Sequence, residues 1–118
     1  MEAKKAEFFM ILDGEPYKVK GAVFDYKGRL IGASTNETPF WALIDIKTGM
    51  FIGVFFDNPL DPDVKINIDE LLENFDDIDC FYADSRARCA EKIKAAYDAE
   101  PDVKRQVFGE VENGNETS

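Results

Sequence analysis

Between residues 7 and 56 the apolar positions alternate with polar ones in short runs cut by glycine turns, the pattern of half-buried strands. Asp13-Gly14 and Lys27-Gly28 each suit a two-residue hairpin, because glycine tolerates the positive φ that such turns need. Lys47-Thr48-Gly49 suits a three-residue hairpin with its glycine in the left-handed region. The runs between these turns predict strands near 7–12, 16–26, 29–35, 40–46 and 50–56. Links this short leave no room for helical crossovers, so the five strands pair antiparallel as a meander.

The turns also predict a register. Phe8 falls opposite Val19 and Met10 opposite Tyr17, while Phe9 faces Lys18 and Glu7 faces Lys20, which separates an apolar side from a mixed one. The second strand then changes parity, from apolar Tyr17 and Val19 to apolar Ala22, Phe24 and Tyr26, and Gly21 at the change predicts a bulge. A loop at 47–49 sets Ile46 opposite Met50, Ile44 opposite Ile52, Ala42 opposite Val54 and Phe40 opposite Phe56, all apolar on one face. The reverse face of that hairpin carries Trp41, Leu43, Phe51 and Phe55. Those four form either a second core layer or an exposed aromatic surface that serves a homodimer or another partner.

After residue 57 the period changes to that of a helix. The loop Asp57-Asn58-Pro59-Leu60-Asp61-Pro62-Asp63 leads to Asn67-Ile68-Asp69-Glu70, a capping box. Ile68, Leu71, Leu72 and Phe75 then mark a short amphipathic helix. Residues 78–83 fit a helical extension or a sixth strand. Asp84 or Ser85 caps a longer helix with Cys89, Ala90, Ile93, Ala96 and Tyr97 on one face, ended by Pro101. Residues 103–108 fit one more helical turn or an edge strand, and 110–118 have the composition of a disordered tail. The expectation is one α+β domain over residues 1–109: an antiparallel five-stranded meander followed by two or three helices packed on one face.

Charge sharpens this picture. The chain has 118 residues, enough for one small core, with 24 acids against 14 bases. Residues 1–56 hold seven of each sign, and residues 85–118 hold seven acids and six bases. Residues 57–84 hold ten acids against Lys65 alone, so nearly all of the net −10 sits in that stretch. Like charges so concentrated repel one another, and a folded chain that keeps them invites a functional reason. The first turn of a helix favours Asp69 and Glu70 through its dipole, but that reason does not reach Asp76, Asp77 and Asp79 at the far end, and Glu73 lies between the two groups. These six residues are the expected docking surface for a basic protein partner, by steering and charge complementarity. Direct binding of nucleic acid would oppose the same charge. The partner could therefore be a nucleic-acid-binding protein whose basic surface the acidic stretch occupies. In size and charge the chain is similar to small acidic inhibitors encoded by phages and mobile elements.

Other chemistry is sparse. Without histidine there is no Cys-His or Ser-His pair and no imidazole for zinc. An EF-hand at Asp61 fails, because Lys65 stands at its fifth position and no glycine at its sixth, so neither metal nor cofactor is expected. Cys80-x5-Arg86 resembles, in spacing, the signature of cysteine phosphatases, whose loop amides and arginine hold phosphate. That resemblance implies an alternative, a small cysteine-dependent enzyme using Cys80 and Arg86. The string departs from the pattern in lacking glycine and in placing Asp84 where the anion would sit. Two cysteines, five apolar residues at 8–12 in place of a signal-peptide core, and no long apolar run predict a cytoplasmic protein away from membranes.

Overall fold

The computed structural model describes residues 3–35 and 39–109, and the backbone alone of 78–83. Asp13 and Lys27 have φ of 53° and 54°, and the glycines after them 80° and 89°. Positive φ at both central positions matches the right-handed twist of the flanking strands, so both turns close tight hairpins. They join β1 (Ala3–Leu12), β2 (Glu15–Tyr26) and β3 (Arg29–Ser34). With β4 (Trp41–Asp45) and β5 (Phe51–Phe55) these form one antiparallel sheet in chain order. Helices α1 (Ile68–Ala99) and α2 (Pro101–Phe108) follow, and the fold is α+β. The segment 110–118, expected as a disordered tail, lies outside the described residues.

The first hairpin has the expected register, with Phe8 opposite Val19 and Met10 opposite Tyr17. The bulge expected at Gly21 is absent: pairing runs unbroken from Ala3 opposite Phe24, through Ala6 opposite Gly21, to Leu12 opposite Glu15. β2 changes parity for a different reason, since its second half is buried on both faces. Val19 and Val23 join one core cluster with Phe8, Met10, Ile44, Ile46, Ile93 and Tyr97. Phe24 joins the other, with Ile31, Ala33, Leu43 and Ile68. Glycine stands at position 21 because a Cβ there would lie 2.1 Å from the Ala33 carbonyl oxygen.

The last hairpin departs from the expected pairing. Ala42 faces Val54 as anticipated, but a bulge sets Ile44 opposite Phe51 rather than Ile52. The turn is drawn in by Asp45, whose N–H donates to Met50 O at 2.9 Å and whose carbonyl accepts from Gly49 N–H at 2.7 Å. Its carboxylate also accepts from Thr48 Oγ1 at 2.8 Å. The bulge removes Phe51 from the face it was expected to share with Trp41, Leu43 and Phe55. Leu43 is fully buried, and Trp41 and Phe55 pack half-buried against the second cluster, while Phe51 is exposed.

α1 begins at the expected cap, where Asn67 Oδ1 accepts from Glu70 N–H at 3.0 Å. It does not restart at Asp84 or Ser85, and residues 78–83 are helical rather than a sixth strand. Yet the helix cannot be straight. Eleven residues of helix span about 16 Å, but Arg86 Nη2 donates to the Phe75 carbonyl at 2.8 Å. The axis must bend between these residues, and a side chain donating to a helical carbonyl is a known cause of such a kink. The bend lets the first half of α1 cover one sheet face through Ile68, Leu71 and Leu72. The second half reaches the other cluster through Ile93 and Tyr97, joined by Val103 and Val107 of α2.

α2, expected as a turn or an edge strand, helps to close the free edge of β1. Glu7 N–H donates to Gln106 Oε1 at 2.9 Å and Phe9 N–H to Tyr97 Oη at 3.1 Å. Ile11 N–H donates to Gly49 O at 2.7 Å, which ties the edge to the β4–β5 turn. No helix among the described residues is long and apolar enough to cross a membrane.

Candidate functional site

The six acids singled out from the sequence separate into groups. Asp69 is held by Lys27, whose Nζ lies 3.1 Å from both carboxylate oxygens. That hydrogen bond keeps the Asp69 carboxyl below its ordinary pKa and raises the lysine's. Asp76 takes a two-pronged contact from Arg29, with both nitrogen–oxygen distances 3.1 Å, and Arg86 Nη1 lies 3.7 Å from the same carboxylate. Glu70, Glu73 and Asp77 are exposed, and none has an ion-pair partner within 4 Å among the described residues. Their spacing of i, i+3 and i+7 puts them in one line along the first half of α1. The loop before the helix adds Asp57, Asp61 and Asp63, all exposed. The side chain of Asp79 lies outside the described residues.

Asp76 thus belongs to a clamp rather than to the free acidic face. Arg29 also donates from Nε to Asp45 Oδ1 at 3.4 Å, so one guanidinium joins the buried end of β4 to α1. Arg86 stacks 3.9 Å from the centroid of the Phe75 ring, a cation–π contact that fixes the bend. Arg29, Asp45 and Thr48 were missed from the sequence. The available signal was Asp45 itself, a lone acid inside the apolar run 40–46. Asp76→Ala is therefore expected to cost about 1–2 kcal/mol, given partial exposure, and Glu73→Ala to stay within about 0.5 kcal/mol. Urea denaturation of the two variants decides the point; equal effects would show that the clamp holds nothing.

Beside the clamp lies an open cleft of about 1030 Å³ between the β4–β5 turn, the second half of α1 and α2. Leu30, Ile46, Ala90, Ile93, Tyr97 and Phe108 give it apolar walls. Its size is at the upper end for small-molecule sites. Most of its charge is already paired within the wall: Arg29 and Arg86 with Asp45 and Asp76, and Lys104 with Asp98 at 2.9 Å. It offers shape, and little charge to orient a ligand.

The Cys-x5-Arg string lies within α1, from Cys80 to Arg86. Helical amides there are directed at the carbonyls one turn back, so they form no nest for phosphate. Arg86 is committed to Phe75 and Asp76. Comparisons with protein-family models, curated proteins and solved structures find no match.

Proposed function

We propose that this chain is a non-catalytic binding protein that docks a basic protein surface, of the kind that otherwise holds nucleic acid, through the acidic face of α1. One observation carries the reading: Glu70, Glu73 and Asp77 are aligned and exposed while their neighbours Asp69 and Asp76 are matched by bases of the chain itself. Internal pairing accounts for Asp69 and Asp76, and the helix dipole favours Glu70 in the first turn, but neither gives a reason for Glu73 and Asp77. Their unbalanced field would speed encounter with a basic partner and bias its orientation.

The test is the triple exchange Glu70→Lys, Glu73→Lys, Asp77→Lys, which reverses the face and leaves the apolar stripe and the Asp76 clamp intact. Folding stability should change little, because relief of self-repulsion offsets the loss of the Glu70 carboxylate from the first turn of α1. Affinity capture from the native host should yield a basic partner with the wild type and lose it with the triple variant. The loss should come mainly through slower association, and wild-type binding should weaken as salt rises. A partner whose affinity ignores both the exchange and about 0.5 M salt, where screening shortens to about 4 Å, would refute the reading.

A further inference from the structure

The two edges of the sheet are finished differently. The free N–H groups of β1 at Glu7, Phe9 and Ile11 meet Gln106, Tyr97 and Gly49. β5 is the opposite edge, and among the described residues its backbone bonds to β4 alone. Natural edges are usually blunted by lysine, proline or a covering element. Phe51-Ile52-Gly53-Val54-Phe55 carries no charge and no proline. The side turned away from the first half of α1 is also solvent-exposed: Phe56 is 80%, Val54 59%, Phe51 44% and Phe40 39% exposed. The rings of Phe40 and Phe56 stand 5.0 Å apart and make one patch with the strand.

We infer that this edge is covered by a second copy of the chain, β5 pairing antiparallel with β5 across a two-fold axis and the phenylalanines meeting over the joint. An antiparallel pair of identical strands is self-complementary, as a two-fold interface requires. Charge selects the occupant. Two copies at −10 each repel over most of their surface, and residues 39–44 and 50–56 hold no charged side chain. A basic partner would find nothing to pair with there. The area is adequate: the exposed parts of the four side chains amount to about 400 Å² per copy. Strand pairing and the flanking residues would bring the total for two copies to roughly 1,200 Å², where specific interfaces begin.

This inference does not rest on the acidic face, which lies on the opposite side of the hairpin. Light scattering coupled to gel filtration should give twice the 13.3 kDa chain mass for the wild type at ~50 µM, an ordinary concentration for a micromolar dimer. Val54→Lys, and separately Phe56→Ser just outside the strand, should give monomers at that concentration with unchanged circular dichroism. Dimerisation should hold or tighten as salt rises, because screening relieves the like-charge repulsion. Amide exchange in β5 should slow in the dimer and speed on dilution. A wild type that stays monomeric at ~50 µM, a dimer that survives Phe56→Ser, or β5 amides indifferent to dilution would each overturn the inference. The same holds for a monomer that uses this patch to bind some other protein.

Discussion

Phe8→Ala is expected to lower the unfolding free energy by about 3–5 kcal/mol, a large share of the 5–15 kcal/mol typical of such a domain. Phe8 is fully buried and its ring lies over two strand glycines. A Cβ on Gly32 would stand 2.7 Å from the Cε2 and Cζ atoms of that ring and 3.1 Å from Ile46 Cδ1. Gly32→Ala alone should therefore destabilise by about 1–3 kcal/mol, through overpacking. In the Phe8→Ala background the new methyl enters the vacated space, so the double variant should cost less than the sum of the singles. Gly21→Ala gives the control. Its Cβ meets the Ala33 carbonyl oxygen at 2.1 Å, a backbone clash that no change at Phe8 relieves. Equilibrium unfolding of the three singles and the two doubles gives both couplings. Strict additivity for the Phe8 and Gly32 pair would mean that the ring does not set the glycine requirement.

How far the sequence carried the fold depended on the range of the interactions that decide each part. Asp13-Gly14 and Lys27-Gly28 fix the first two hairpins by backbone sterics within two residues, and their register follows from the turns. The β4–β5 register failed because it is set by side-chain chemistry. Asp45 pairs with Met50 and captures Thr48, which lengthens the loop from 47–49 to 46–49 and sends Phe51 to the other face from Trp41, Leu43 and Phe55. Gly21 was legible as unusual, but its reason is the oxygen of Ala33, a neighbour supplied by β3. The same limit shaped the acidic stretch. The apolar stripe Ile68, Leu71, Leu72 and Phe75 leaves Asp69, Glu73, Asp76 and Asp77 on the solvent side of α1, and Asp76 does lie at the surface. That Arg29, forty-seven positions earlier, closes on it is a tertiary fact without a local signal. Charge counting thus located the region, and only the fold divides its acids into those already matched and those left open.

Tyr97 gives the largest expected dependence on pH. Its hydroxyl accepts the Phe9 N–H on the β1 edge, and its ring stands edge-on to Phe9 and Phe108, with centroids 5.0 and 5.1 Å away. Burial pushes the phenol pKa up to about 12, and the Phe9 N–H, which would favour the phenolate, offsets only part of that. In the unfolded chain the same group titrates near 10. Below pH 10 both states hold the proton and the full stability is present. As pH rises from 10 towards 12 the unfolded chain releases its proton first, so unfolding is favoured, and the loss is complete above the folded value. A gap of about two units corresponds to roughly 3 kcal/mol at most. Lysines lose charge over the same interval, so the measurement must be differential. Tyr97→Phe should be less stable than the wild type at pH 7 by about 1–3 kcal/mol, because it leaves the Phe9 N–H unpaired at the edge. Its stability should then fall less steeply between pH 10 and 12, and the two urea-denaturation curves should converge. Curves that stay parallel across that interval would show that the phenol titrates alike in both states, and that Tyr97 is not the buried acceptor on which the β1 edge depends.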